Sequence, residues 1–248
     1  MKMTVIASGS AGNCYVLEGR SSALILECGV PPERVMKGTD LRPSKVAGCL
    51  VTHEHGDHAG FVGRYLSLGL PVYASGGTCD ALRYGKRMRR LHPVSSQMVG
   101  EFQVFSFPVI HDAAEPFGYI VGHPELGRLL FVTDARAVPY SFPKSAIDHI
   151  MVEANYSDRI VDAAVDDGSL TPERAARVRS THMSLQGARE LVLRNESASL
   201  KTVTLIHLSS QNSDYRAFKQ EIQDAVLFAG VWTAHPGLTI EMRGRTEV

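Results

Sequence analysis

HEHGDH, residues 53–58, places three histidines and one aspartate directly after the apolar run Gly48–Thr52. The first two histidines are two positions apart, and in an extended chain this spacing points both imidazoles to the same side, where they can share one metal ion. Gly56 then allows the chain to turn, so that Asp57 and His58 can face a neighbouring ion. A cluster of surface or helix-capping histidines is the alternative, but the motif fixes four ligand positions and gains specificity with each of them. The segment therefore predicts a metal site.

Three more metal-ligand side chains follow predicted strands. Each stands directly after an apolar run: His111 after residues 107–110, Asp134 after residues 131–133 and His207 after residues 203–206. Taken alone, a histidine or aspartate at a strand end is more often a cap or an ordinary hydrogen-bond partner. Together they predict a two-metal site, in which one ion is held by His53, His55 and His111, the second by Asp57, His58 and His207, and Asp134 bridges both. Two ions about 3.5–4 Å apart leave room for a bridging hydroxide, the nucleophile of such a centre.

Short apolar runs alternate with amphipathic stretches along the chain. Continuous apolar runs are typical of strands covered on both faces, and they are found at residues 24–26, 48–52, 104–107, 129–133, 150–153 and 203–206. Apolar residues at helical spacing predict helices around residues 61–66, 185–192 and 218–226. Thr171 and Pro172 predict the N-cap and first position of a further helix through Val178. The mixture indicates a layered α/β fold.

The ligand pattern as a whole resembles the metallo-β-lactamase superfamily. The resemblance implies one domain over residues 1–248, a four-layer αββα sandwich with its metal ions at one edge of the two sheets. Several segments also look like the YycJ (WalJ) group of bacterial and phage proteins, which are regarded as DNA exonucleases, and more distantly like ribonuclease Z. These segments are residues 7–13, 71–74, 111–116, 153–155, 182–184 and 207–212. This likeness implies phosphodiester hydrolysis. An aspartate at position 134 argues against a β-lactamase, since those enzymes usually carry cysteine there.

Two side chains outside the ligand set acquire a role through this resemblance. His182, matched to the His-Ser-Thr segment of ribonuclease Z, would contact the scissile phosphate and protonate the leaving oxygen, and Glu153 would orient its imidazole. Histidine titrates in the range that such an acid needs. The alternative is that His182 only caps the helix that begins near Ser184. Asp57, His182 and Glu153 are thus the expected catalytic residues.

The sequence departs from the family pattern at one position, and it offers weaker candidates for residues that line the pocket. Where many relatives have aspartate, this chain has Glu27, so a longer or rearranged contact is expected behind the metal ligands. Ser10 and Asn13 could line the pocket, although a β-turn explains their segment equally well. The remaining histidines do not follow such ligand patterns and are not expected in the site: His92, His123, His149 and His235.

Composition places few limits on the substrate. Lysine plus arginine equals aspartate plus glutamate at 26 each, so no global field attracts polyanions. The basic cluster Arg83–Arg90 is interpreted as a solvated face. The four cysteines form no CxxC pair and are expected to be buried thiols. No apolar run nears the roughly 18 residues of a membrane span, and Gly9 and Ser10 interrupt the first apolar stretch, so a cytoplasmic protein is expected.

Three functional hypotheses remain open at this stage. The first is a nuclease, most simply a DNA exonuclease, with two divalent ions, Zn²⁺ or Mn²⁺, as cofactors. The second is a cyclic-nucleotide phosphodiesterase of the kind found in phages, which the neutral charge and compact chain favour. The third is another metallo-hydrolase, such as a thioesterase, or a metal-binding scaffold, because fold and metals alone do not fix the substrate. The expected partners are a nucleic acid or nucleotide and, from the resemblance, a second copy of the chain in a homodimer.

Overall fold

The computed structural model describes residues 1–244, with the side chain of Lys144 left aside, and it contains two seven-stranded sheets. In chain order the strands are β1 (Lys2–Ala7), β2 (Cys14–Glu18), β3 (Ala23–Leu26), β4 (Val46–Leu50), β5 (Val72–Ser75), β6 (Met88–Leu91), β7 (Ser95–Val99), β8 (Phe102–Pro108), β9 (Phe117–His123), β10 (Gly127–Val132), β11 (His149–Glu153), β12 (Thr202–Ile206), β13 (Gly230–Thr233) and β14 (Thr239–Glu241). The apolar runs noted in the sequence all lie on these strands, which end one or two residues earlier at Leu50 and Val132.

The helices follow the loops of both sheets. They are α1 (Pro32–Thr39), α2 (Gly56–Ala59), α3 (Val62–Ser67), α4 (Gly76–Leu82), α5 (Asp158–Asp166), α6 (Pro172–Thr181), α7 (Leu185–Asn195) and α8 (Tyr215–Ala225), with short 3₁₀ turns at Pro43–Lys45, Gly85–Arg87 and Pro143–Ser145. Thr171 is the N-cap of α6, and its side chain accepts a hydrogen bond from the backbone N–H of Arg174. The helix continues to Thr181, three residues beyond the predicted end at Val178. No helix within residues 1–244 is long and apolar enough to cross a bilayer.

Each sheet combines antiparallel and parallel pairing. The first has the order β14-β1-β2-β3-β4-β5-β6, and its strands β3 to β6 are parallel. The second has the order β13-β12-β11-β10-β9-β8-β7, and its strands β10 to β13 are parallel. Parallel strands carry their carboxyl ends to one edge of the sheet. The loops after β4, β10, β11 and β12 therefore converge.

The sheets pack face to face, with helices on both outer surfaces. On β3, Leu24 and Leu26 join the apolar core between the sheets, which also includes Phe131 of β10, whereas Ile25 faces the other way and packs with the cluster that contains Tyr65 of α3. This alternation is the period of two expected of a strand. The outer face of the second sheet is covered by α7 and α8, where Phe218 is buried. The predicted four-layer αββα sandwich is confirmed.

Candidate metal centre

The HEHGDH segment leaves β4 at the edge where the parallel strands of both sheets end. His58 and His53 are 0% and 1% exposed, so the segment turns into the protein rather than over its surface. The turn itself differs from the expectation, since Gly56 is the first residue of α2 and is absent from the residues with positive φ. The helix start, rather than the conformational freedom of glycine, directs Asp57 and His58 inward.

Two groups of ligand atoms form there, and they share one aspartate. In the first group the donor atoms of His53, His55, His111 and Asp134 lie within 4.8 Å of one another; in the second the same holds for Asp57, His58, Asp134 and His207. These groups have the same membership as the two sets inferred from the sequence. Each could hold a metal ion.

Asp134 lies between the two groups and presents both oxygens. Its Oδ2 is 3.2 Å from Nε2 of His58 and 3.8 Å from Nε2 of His53, while its Oδ1 is 3.3 Å from Nδ1 of His207. A third group of donor atoms, from Asp134, Glu153, His182 and His207, adjoins the second. The carboxylate predicted to bridge two ions is thus positioned between both sets of imidazoles.

The protein's own contacts leave part of this donor set unsatisfied. Nε2 of His53 is buried and has no hydrogen-bond partner among the described residues. Nε2 of His111 and Nδ1 of His55 face each other at 3.2 Å. A buried polar atom without a partner costs roughly 1–3 kcal/mol, whereas imidazole nitrogens and carboxylate oxygens are ordinary ligands of divalent metals. The site fits divalent metal ions.

Three non-glycine residues at this edge have a left-handed backbone. Glu27 directly follows β3 with φ of 68°, His207 directly follows β12 with φ of 51°, and Asp134 lies two residues after β10 with φ of 43°. Such a conformation costs of the order of 1–3 kcal/mol per residue and is kept where the surrounding structure enforces it. It bends each chain sharply at the strand end, and at Asp134 and His207 the bent residue itself supplies a ligand atom of the site.

Hydroxyl and amide groups hold the imidazoles in place, and most of them had no predicted role. Oγ1 of Thr52 is 2.9 Å from Nδ1 of His53, and Nδ2 of Asn155 donates to Nδ1 of His207 at 3.2 Å and to its carbonyl at 3.0 Å. The sequence signal for Thr52 is that it adjoins His53, and Asn155 belongs to segment 153–155, which resembles the YycJ group.

Asn13 and Glu27 contact His58 from the other side. Nδ2 of Asn13 lies 3.1 Å from Nε2 of His58 and donates to Oδ2 of Asp57 at 3.3 Å, so Asn13 belongs to the site and is more than part of a turn. Oε1 of Glu27 is 3.5 Å from Nδ1 of His58, consistent with the long contact expected for glutamate at this position. Ser10 lines the cavity beside them.

The comparisons with known proteins agree with this geometry. The family model described as beta-lactamase superfamily domain matches residues 30–208. The chain belongs to the metallo-β-lactamase superfamily. Exodeoxyribonuclease WalJ of Streptococcus pneumoniae is 26% identical over 231 residues, which span 86% of this chain and 83% of WalJ. Exodeoxyribonuclease YycJ of Bacillus anthracis is 33% identical over 144 residues, 54% of each chain. The crystal structure of the metallo-β-lactamase-fold protein YhfI from Bacillus subtilis superposes with a TM-score of 0.74 at 17% identity, covering 97% of this chain and 99% of YhfI.

As a metallo-β-lactamase-fold hydrolase, the protein also carries a hydrogen-bonded histidine–carboxylate pair beside its metal-ligand groups. Nδ1 of His182 is 2.7 Å from Oε1 of Glu153, and the other oxygen of this fully buried carboxylate accepts hydrogen bonds from the backbone N–H groups of Ala135 and Met183. His182 does not cap α7, because the side chain of Ser184 occupies that position. Its imidazole is 23% exposed and lines the cavity.

The electrostatics of the hydrolase site favour the ionised forms of Asp134 and Asp57. Burial acts to raise the pKa of Asp134, but the neighbouring His207 and His58 outweigh it and hold that pKa well below its ordinary value. Burial likewise opposes ionisation of Asp57, and hydrogen bonds from His207 and His58 lower its pKa. Burial alone would lower the pKa of His182, whereas the hydrogen bond and charge of Glu153 raise it above the ordinary value.

The residues excluded on sequence grounds lie elsewhere. Within residues 1–244, none of His92, His123, His149 and His235 belongs to a ligand group or lines the site cavity. His149 is buried and bonds to the Thr202 hydroxyl and the Arg243 carbonyl. All four cysteines are buried and free, as expected. In the basic cluster, Arg90 pairs with Asp80 at the surface.

Proposed function

We propose that this chain is a metal-dependent phosphodiesterase that hydrolyses nucleic acid. The observation that carries the proposal is the Glu153–His182 pair, because His182 lines the same cavity as members of both ligand groups. A diester of two alkoxides needs a positioned acid for its leaving oxygen, and a histidine whose pKa is raised by a buried carboxylate is such an acid. The names of the relatives, exodeoxyribonucleases WalJ and YycJ, support the same bond class.

The proposed metal ligands are the two sets that the structure brings together. His53, His55 and His111 would hold one ion, Asp57, His58 and His207 the other, and Asp134 both. Two divalent ions, Zn²⁺ or Mn²⁺, would supply charge neutralisation for the phosphate and a water of lowered pKa. Asn155, Thr52 and Asn13 orient the imidazoles, Glu153 positions His182, and His182 gives its proton to the leaving oxygen.

The shape of the cavity favours a chain over a single nucleotide. The site cavity has a volume of about 690 Å³, and Ser209 and Ser210 line both it and a second cavity of about 970 Å³ that reaches Tyr215 and Arg216. The two cavities are therefore neighbours at Ser209 and Ser210. A second cavity beside the site supports a polymeric substrate.

A cyclic mononucleotide is the second candidate. The site cavity alone falls within the range of about 300–1,000 Å³ that small ligands occupy, and the formal net charge of +0 provides no general attraction for polyanions. The two candidates differ in salt dependence, because each phosphate contact to a strand adds to the slope of log K against log salt. A mononucleotide should show a shallow slope.

The test is a panel of substrates with metal-reconstituted protein. Labelled single- and double-stranded DNA, RNA and cyclic mononucleotides are incubated with Zn²⁺ or Mn²⁺, and Asp134→Ala serves as the blank. We expect hydrolysis of at least one nucleic acid and none in the blank. Equal turnover by Asp134→Ala would contradict the two-metal assignment, and turnover of cyclic mononucleotides alone would establish the second candidate instead.

A further inference from the structure

Helix α6 presents two arginines without partners to the site cavity. Arg174 and Arg177 both line the cavity and are exposed, which places them at its mouth. Within residues 1–244 neither guanidinium forms a hydrogen bond or ion pair. Arg179 on the same helix differs, because its Nε donates to Asp158 at 2.9 Å and its Nη2 to Asp162 at 2.5 Å. Arg179 thus fastens α6 to α5, whereas the other two arginines remain available to a ligand.

The packing of α6 fixes these arginines relative to the metal ligands. Ala175 is buried in a small apolar cluster with Val161 of α5 and Leu170. At the carboxyl end of the helix, the carbonyl of Thr181 is 2.9 Å from Nδ1 of His111, and the next residue is His182. The helix that carries the two cations therefore ends on a metal-ligand histidine and on the proposed acid.

The charged residues of the cavity indicate which ligand Arg174 and Arg177 can bind. Three aspartates line the cavity, Asp57, Asp112 and Asp134. Among the described residues, its lining contains no lysine, and its arginines are Arg174 and Arg177. Residues three apart on a helix share a face, with about 5–6 Å between Cβ atoms. Guanidinium binds phosphate through paired N–H donors. The proposed metal centre would bind one phosphate, the scissile one. The two arginines at the mouth of the cavity are therefore suited to bind neighbouring phosphates of the same nucleotide chain.

We infer that Arg174 and Arg177 bind the phosphates next to the scissile one, and that they select a nucleotide chain over an isolated phosphodiester. The inference deepens the proposed function and rests on it. A cyclic mononucleotide has a single phosphate, which the metal centre would engage, so it gains little from the pair. An oligonucleotide gains both affinity and position from it.

The test compares Arg174→Gln, Arg177→Gln and the double variant with Arg42→Gln. Arg42 is an exposed arginine that precedes β4 at the end opposite the HEHGDH segment, and its guanidinium has no partner within residues 1–244. Two substrates are used, a single-stranded oligonucleotide and bis(4-nitrophenyl) phosphate, which carries one phosphate. Oligonucleotide binding is also measured by fluorescence anisotropy over a range of salt concentrations.

We expect the double variant to lose about 10–100-fold in kcat/KM on the oligonucleotide, with the salt slope of binding reduced by about 1–2. Its activity on the small diester and its metal content should stay within twofold of the unaltered protein, and Arg42→Gln should change none of these values. Unchanged oligonucleotide binding in the double variant would overturn the inference, and so would an equal loss on both substrates. If the unaltered protein cleaves neither substrate, the proposed function fails, while the binding comparison still decides the role of the arginines.

Discussion

Replacing His182 with asparagine tests the assignment of the acid most directly. The asparagine amide retains a donor near the position of Nδ1, so the buried Glu153 keeps a hydrogen-bond partner in place of the present 2.7 Å contact. The nitrogen that would face the substrate is lost. Since His182 is in neither of the two proposed ligand sets, metal content should be unchanged.

The expected size of the effect follows from the role. A positioned general acid contributes about 10²–10⁴-fold, equivalent to about 3–5 kcal/mol in activation free energy. His182→Asn should lose this factor on an oligonucleotide, whose leaving group is a strongly basic alkoxide. It should lose far less on bis(4-nitrophenyl) phosphate, because nitrophenolate departs without a proton. The ratio of the two losses is the quantity to measure, with kcat from both substrates and metal from elemental analysis.

The pH profile gives a second readout of the same pair. Glu153 raises the pKa of His182 above 6.5, so the protonated acid persists to higher pH, and kcat should fall as the pH rises through that raised value. In Glu153→Gln the negative charge is gone, and the descending limb should move to lower pH. Full oligonucleotide turnover by metal-loaded His182→Asn, or equal losses on both substrates, would refute the acid role.

Three further predictions concern stability and metal affinity. Burial lowers the pKa of His149 to about 4 from 6.5, so between pH 6.5 and 4 the unfolded chain takes up a proton that the folded protein does not. As the pH falls through this range, the free energy of unfolding should decrease by up to about 3 kcal/mol. Urea titrations should show that His149→Gln removes this part of the decrease, and an identical pH dependence in the variant would contradict the burial argument. Asn155→Ala should weaken metal affinity by about 10–100-fold in a chelator competition, and unchanged affinity would deny the amide its orienting role. A Cβ on Gly29 would lie 1.8 Å from the carbonyl oxygen of Asp57, so Gly29→Ala should lower the free energy of unfolding by about 2–4 kcal/mol in denaturant titrations. Gly56→Ala is the matched control, because its Cβ meets nothing within 4 Å and stability should stay unchanged.

The fold and the grouping of the candidate ligand side chains could be predicted because they follow from local patterns. Parallel strands buried on both faces give continuous apolar runs, and a ligand directly after such a run must lie at the edge where strands end. Asp134 and His207 each follow a strand in this way. The strand ends converge whatever the loops contain, so the pairing of distant ligands needed no knowledge of side-chain packing.

The contacts of the supporting residues could not be predicted, because they join distant segments of the chain. Asn155 reaches His207 across 52 positions, and Asn13 reaches His58 across 45. Amide side chains are common in turns for local reasons, so the sequence offers Asn13 as a pocket-lining candidate but does not show which histidine either amide contacts. The same holds for Arg174 and Arg177, since only the packing of α6 on α5 determines which face of that helix meets the cavity.

The left-handed backbone at Asp134 and His207 has a consequence for the use of this protein as a reagent. Asparagine, like aspartate, tolerates that conformation, so Asp134→Asn and His207→Asn preserve the bend while removing a metal-binding group. Both variants should keep the backbone of the strand end and bind less metal. Because the arginines on α6 are untouched, the proposed function predicts that such a protein binds a nucleic-acid strand without hydrolysing it, which would make it an affinity reagent for identifying the substrate.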